Sequence, residues 1–254
     1  MGKIIAIGGG HIGETLGEKK YPITTKKIDD EIIRLSGKKN PKLLFIPTAS
    51  SDSQGYVDII RMHFGKRLRC KVDVLYLIKE KHSYEQIRKK TLSSDIIYVG
   101  GGNTLKMMNI WRKFGVDKIL VEAWKKGIVL SGISAGSICW FKSGNSDSRK
   151  FTSGSNRLIR VTGLGLIDAL HCPHYDSEIH RQKDLKRMMK TTSKIVAFAL
   201  ENDVAIEIID DKYRIITSQK GKNAFKIYWK NNKYNKTTIS KNNMFRPLKE
   251  LLSK

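Results

Sequence analysis

No apolar run in this chain is long enough to cross a bilayer. The longest, such as Lys3-Ile4-Ile5-Ala6-Ile7 and Asp95-Ile96-Ile97-Tyr98-Val99, have the length of strands, far short of the ~18 residues of a membrane helix, so no membrane partner is expected. The opening Met1-Gly2-Lys3 leads straight into a strand-like run, with no apolar core and small-residue cleavage site, so no secretory signal is expected. Cysteine is scarce. Cys70, Cys139 and Cys172 are odd in number and scattered, which argues against a disulfide framework and for a reducing, cytoplasmic setting. Acidic residues are half as numerous as basic ones, 24 against 48, leaving a net charge of +24. That excess would suit a nucleic-acid or acidic-polymer partner. The lysines, however, are dispersed in pairs such as Lys19-Lys20, Lys26-Lys27 and Lys38-Lys39 rather than gathered into a stripe. They read as solvated loop ends and helix faces, and a nucleic-acid partner is not expected. No fixed-period repeat, long linker or low-complexity tract divides the chain, so one domain over residues 1–254 is expected.

What is present is alternation. Strand-like runs at Lys3–Ile7, Lys42–Ile46, 71–77, 95–99 and 128–131 are separated by helix-like stretches. The helical pattern falls at 28–36, 56–65, 83–91, Thr104–Phe114 and 116–126. Such alternation predicts an α/β fold of three layers, a mainly parallel sheet with helices on both faces. Towards the C-terminus, Val204–Ile209, 213–217 and 224–228 are short strands separated by turn residues. They predict antiparallel hairpins at the sheet edge. The polar stretch 231–243 reads as a loop over that edge.

The segment that carries chemistry is Ile128-Val129-Leu130-Ser131-Gly132-Ile133-Ser134-Ala135-Gly136-Ser137. Gly132-x-Ser134-x-Gly136 fits a nucleophile elbow, with a buried strand before it and a helix-compatible run after it. A serine on such a sharp turn needs small neighbours, because larger side chains would strike the adjoining strand and helix. Its hydroxyl then projects at the C-terminal end of a sheet strand, where open α/β sheets bind ligands. The N–H of Ala135, next after the nucleophile, is placed to face an oxyanion.

A serine needs a base. His174, in Cys172-Pro173-His174-Tyr175-Asp176, lies on a loop leaving an apolar run; His171 is its rival, and His180 reads as part of the next helix. For the acid that orients the base, Glu201 ends a strand-like run, with Asp147 and Asp176 as competitors. Gly100-Gly101-Gly102-Asn103-Thr104 ends a buried strand and opens a helix, so its N–H groups could complete an oxyanion hole or bind a carboxylate. Gly8-Gly9-Gly10-His11-Ile12-Gly13 formally contains G-x-G-x-x-G, but the polar stretch after it is broken by Pro22, so a dinucleotide site is not expected. His171, Cys172 and His174 have no second ligand cluster to join, and neither a metal nor an organic cofactor is expected.

Five blocks, in this order, resemble the peptidase E family of serine peptidases, aspartyl dipeptidases related in fold to class I glutamine amidotransferases. They are Pro47-Thr48-Ala49-Ser50, Val99-Gly100-Gly101-Gly102-Asn103-Thr104, Gly132-Ile133-Ser134-Ala135-Gly136-Ser137, Cys172-Pro173-His174-Tyr175 and Ala199-Leu200-Glu201-Asn202. The resemblance spans the chain from Lys3 to about Ile209. It implies a catalytic Ser134, His174 and Glu201, with Gly101 joining Ala135 in the oxyanion hole. It implies substrate contacts at Asn103 and at Arg181, the latter matching an arginine that reads an aspartate side chain. Serine rather than cysteine at the elbow argues against glutamine hydrolysis. Cyanophycinase, a related hydrolase with the same serine elbow, is usually longer. The expected function is therefore hydrolysis of small peptides, with a homodimer as the expected assembly. The rival class is a basic polyanion-binding module on a hydrolase scaffold.

Overall fold

The computed structural model describes residues 2–177, 179–192, 194–241 and 243–254. Its strands, in chain order, are β1 Lys3–Ile7, β2 Thr15–Leu16, β3 Lys19–Lys20, β4 Lys42–Ile46, β5 Lys71–Val74, β6 Ile96–Val99, β7 Val129–Ile133 and β8 Phe141–Ser146. They continue with β9 Ile159–Thr162, β10 Ile167–Cys172, β11 Ala197–Leu200, β12 Val204–Ile209, β13 Lys212–Thr217, β14 Ala224–Lys230, β15 Lys233–Thr238 and β16 Arg246–Pro247. The helices are α1 Lys26–Leu35, α2 Gln54–Ile60, α3 Tyr84–Leu92, α4 Thr104–Phe114, α5 Val116–Lys125, α6 Ala135–Ile138, α7 Lys150–Ser153, α8 Ile179–Thr191 and α9 Leu248–Leu252.

The expected parallel sheet is present and forms one of two large sheets. Its order is β16-β13-β12-β1-β7-β6-β4-β5. The pairs from β1 through β7, β6 and β4 to β5 are parallel, and β12, β13 and β16 extend that sheet antiparallel. A second sheet, β15-β14-β11-β10-β8-β9, is parallel only between β8, β10 and β11. The two C-terminal hairpins therefore extend different sheets: β12–β13 lengthens the first and β14–β15 the second.

Alternate residues of each strand face opposite layers. On one face of the first sheet, Ile5, Ile7, Phe45 and Tyr98 pack against Ile28 and Ile32 of α1 and Val57 and Ile60 of α2. On its other face, Ile4, Ala6, Leu44 and Val99 join Met107 and Trp111 of α4, and the same cluster takes in Phe141, Ala169 and Phe198 of the second sheet. The far side of the second sheet is covered by Leu185 and Met189 of α8. The segment expected as one helix over 56–65 starts as α2 and continues as a π-helical stretch, Arg61–Arg67. The polar segment expected as a loop over 231–243 instead contains β15. Its side chains are polar because it is an edge strand with much of its length exposed. Among the described residues no helix is long and apolar enough to cross a membrane.

Candidate active site

Strand β7 is buried along its whole length between β1 and β6 and delivers Ser134 at its C-terminal end. Ser134 has φ 58° and ψ −115°, a backbone conformation that L-residues adopt only where the surroundings enforce it. The flanking glycines are what permit it. A Cβ on Gly132 would lie 2.3 Å from the Gly136 carbonyl oxygen, and one on Gly136 would lie 2.1 Å from that of Val99. The Ser134 N–H donates back to the Ile7 carbonyl at 3.2 Å, tying the turn to β1. Ala135 then opens α6, the short helix that the elbow leads into.

His174, two residues beyond the end of β10, meets the elbow. Its Nε2 lies 2.7 Å from Ser134 Oγ. Its Nδ1 lies 2.9 Å from the amide oxygen of Asn202. An amide oxygen only accepts, so Nδ1 carries the proton and Nε2 is left to accept from the serine. The imidazole is thus held in the tautomer a general base needs. Asn202 is itself held from behind: its backbone N–H donates to Asp176 Oδ1 at 3.0 Å, and Asp176 pairs with Lys222. Burial alone would raise the Asp176 carboxyl, but Lys222 and the Asn202 N–H hold it below the ordinary carboxylate value.

The side chain against His174 Nδ1 is that of Asn202, one residue beyond the expected acid Glu201. The Glu201 carboxylate accepts the Asn223 N–H at 2.8 Å, and its own N–H donates to the Asn223 carbonyl at 3.2 Å. Glu201 thereby fastens the end of β11 to the start of β14, while its neighbour Asn202 faces His174. Asp147, a competing acid, lies 4.0 Å from the Arg181 guanidinium instead.

His171 and His174 are two residues apart and do different work. His171 is fully buried, donates from Nδ1 to the Phe198 carbonyl at 3.1 Å and has Nε2 2.8 Å from Ser137 Oγ. Burial depresses it to about 3, so it is neutral and props the first turn after the elbow. His180 lies on α8, as expected.

The remaining expected residues are found as follows. A Cβ on Gly101 would lie 3.4 Å from Ser134 Cβ, so this glycine does stand beside Ser134. Its N–H, expected to face an oxyanion, donates to the Tyr56 hydroxyl at 3.3 Å. Asn103, expected to bind substrate, caps α4: its Oδ1 accepts the Lys106 N–H at 3.0 Å and its Nδ2 donates to the Ser148 carbonyl at 3.5 Å. Arg181 is only 2% exposed. Its Nη1 donates to the Asn145 carbonyl at 2.9 Å, which ties α8 to β8.

The N-terminal glycines, set aside as a dinucleotide motif, have another reason to be there. A Cβ on Gly9 would strike the Asn202 and His174 side chains, and one on Gly8 would lie 2.4 Å from the Glu201 carbonyl oxygen. Sequence reading missed both Asn202 and this glycine bed. The signal available was the Asn202 that follows Glu201 in the last of the five blocks. Among the described residues, no three His, Cys, Asp or Glu side chains converge to hold a metal.

The model of peptidase family S51 matches residues 4–216 of the chain. The uncharacterized peptidase YgaJ of Bacillus subtilis (strain 168) is 34% identical over 228 residues, covering 89% of this chain and 92% of that protein. The uncharacterized peptidase Lin0382 of Listeria innocua is 26% identical over 176 residues, 66% of this chain and 80% of its own length. Among solved structures, a peptidase from an acI-B1 actinobacterium superposes with a TM-score of 0.70 at 15% identity, covering 97% of this chain and 96% of that one. A putative peptidase E protein from Listeria monocytogenes EGD-e gives 0.62 at 21% identity, covering 85% and 98%. At these identities the two structures speak for the fold.

Proposed function

Because the chain belongs to peptidase family S51 and is therefore a serine-type peptidase, we propose that it hydrolyses small peptides through an acyl-enzyme on Ser134, with His174 as base and Asn202 as the group that orients it. The observation that carries this reading is the 2.7 Å contact between Ser134 Oγ and His174 Nε2 on a strained elbow.

The reaction follows from that geometry. As Ser134 Oγ attacks the scissile carbonyl carbon, its proton passes to His174 Nε2. The carbonyl oxygen takes up the negative charge, near the N–H of Ala135 at the start of α6. When the C–N bond breaks, the proton on His174 goes to the leaving amine. Water then enters, gives a proton to His174 and attacks the acyl carbon, and Ser134 Oγ leaves with that proton restored. Asn202 is neutral, so it fixes the tautomer without supplying the full charge that an aspartate or glutamate would place beside the imidazolium.

A preference for an N-terminal aspartate, implied by the resemblance through Arg181, is a separate question, since the Arg181 guanidinium already serves the Asn145 carbonyl. The decisive experiment pairs fluorophosphonate labelling with a panel of X-Leu dipeptides, on wild type and on Ser134→Ala. The expected result is one labelled serine and turnover in the wild type, both lost in the variant. Labelling or turnover that survives in Ser134→Ala would remove Ser134 from the chemistry. The same panel on Arg181→Ala reads specificity: a steep Asp-over-Asn preference that vanishes would give Arg181 the recognition role, whereas a uniform loss with a lowered Tm marks it as a brace.

A further inference from the structure

The Gly101 N–H, which stands beside the nucleophile, is occupied by a phenol. Tyr56 Oη accepts it at 3.3 Å. The glycines of this turn are shaped around that tyrosine. A Cβ on Gly100 would lie 2.8 Å from Tyr56 Cε1, and Gly101 brings its amide to the hydroxyl. Phe45 packs edge-on against the ring, with centroids 5.2 Å apart, which fixes where the hydroxyl points.

Tyr56 Oη accepts one hydrogen bond and keeps a proton of its own. Among the described residues that proton has no acceptor. The ring also lines a cavity of about 710 Å³ together with Gly10, Glu14, Arg67, Tyr98 and Ile133. Ile133 immediately precedes the nucleophile, and Gly10 immediately follows the glycine that beds His174 and Asn202. The cavity is thus lined by chain neighbours of the site residues rather than by those residues themselves, and its volume suits a small ligand. Burial pushes the Tyr56 phenol up to about 12, against the pull of the Gly101 N–H, so the hydroxyl keeps its proton at neutral pH. A hydroxyl that already accepts from an amide is a polarised and stronger donor.

Resting on hydrolysis at Ser134, we infer that Tyr56 is a further catalytic residue: its hydroxyl donates to the substrate's carbonyl oxygen as that oxygen becomes an oxyanion. Gly101 acts behind it, through the phenol, and the oxyanion hole is the pair formed by the Tyr56 O–H and the Ala135 N–H. Tyrosine hydroxyls are competent donors of this kind, and loss of one such donor typically costs about 10²- to 10³-fold in kcat.

The test is Tyr56→Phe in the full chain, which keeps the ring against Phe45 and removes only the hydroxyl. The probes are an X-Leu dipeptide that the wild type hydrolyses and a peptide aldehyde that adds to Ser134 to form an oxyanion. The expected result is a kcat at least tenfold lower at nearly unchanged KM, with aldehyde affinity weakened by a similar factor and Tm held. Substitution also frees the Gly101 N–H. A kcat that is unchanged or higher in Tyr56→Phe would overturn the inference and return the oxyanion to Gly101. Should Tyr56→Phe lose stability, a fluorinated tyrosine at position 56 replaces it. Its more acidic phenol should bring the alkaline loss of kcat to lower pH, and an unmoved profile would equally overturn the inference. A wild type that neither takes the fluorophosphonate nor turns over any peptide would defeat the hydrolase reading instead, which separates the two failures.

Discussion

Gly9 stands so close to Asn202 that a Cβ on the glycine would lie 2.0 Å from Asn202 Oδ1 and 2.4 Å from His174 Nδ1. Both atoms belong to side chains that can swing aside, so the fold can absorb an alanine there while the hydrogen bond between them cannot. Gly9→Ala should lower kcat by about 10²-fold, the scale of an ångström-sized misplacement at a reacting group. Tm should change by only a few degrees. Steady-state kinetics beside a thermal melt checks it. Wild-type kcat in this variant would mean that the His174–Asn202 contact is dispensable.

The second prediction separates Asn202 from Glu201. Asn202→Ala removes the acceptor that fixes the His174 tautomer and should cost a large part of the ~10²–10⁴-fold that a general base contributes. Glu201→Gln keeps an oxygen for the Asn223 N–H and should leave kcat within a few-fold. Asn202→Asp would place a charge against the imidazole and raise its basicity, which moves the acidic limb of the kcat/KM profile to higher pH. Comparison of the three pH profiles decides it. A large loss in Glu201→Gln with Asn202→Ala near wild type would return the role to Glu201.

A third prediction concerns acid stability. His171 has a folded value of about 3 against an ordinary 6.5. Between these values the unfolded chain binds a proton that the folded chain refuses. Stability should therefore fall as pH drops below about 6.5, by up to about 1.4 kcal/mol per pH unit, and level off near pH 3. Glu207 works in the opposite direction: burial, with Glu31 nearby and despite Arg214, pushes its carboxyl up to about 7. The useful quantity is thus the difference between wild type and His171→Gln in denaturant melts from pH 7 to 4. The variant should lack the His171 component. Parallel stability curves for the two proteins would show that His171 is not held neutral.

The features legible in the sequence were those encoded within a few residues of one another. The elbow is one, because Gly132, Ser134 and Gly136 fall within five residues, although the Val99 carbonyl that excludes a side chain at Gly136 lies on another strand. The parallel sheet is another, because β4, β6 and β7 are near-continuous apolar runs. Less legible was whatever depends on remote pairing. The second sheet was not read at all, since nothing local says that β11 pairs with β10 and β14 while β12, after a three-residue connection, pairs with β1. Strand β15 read as a loop because an exposed edge strand needs no apolar alternation. Glu201 was the expected partner of His174, with Asp147 and Asp176 as competitors, and the side chain against His174 Nδ1 belongs to the next residue, Asn202. A carboxylate is the more familiar partner for histidine, and only the Asn223 backbone shows where Glu201 is engaged.

Only Glu201, Asn202 and Asp203 separate β11, in one sheet, from β12, in the other. The elbow makes the same kind of crossing, from β7 in the first sheet towards β8 in the second. Ser134 and Asn202 therefore both sit at crossings of a single seam. The sheets need not come apart to silence the enzyme; a slip of one against the other by about an ångström would stretch the 2.7 Å contact between Ser134 and His174 past hydrogen-bond reach. Inactivation on warming should accordingly run ahead of melting, with turnover acting as the molecule's own gauge of how well its two halves stay in register.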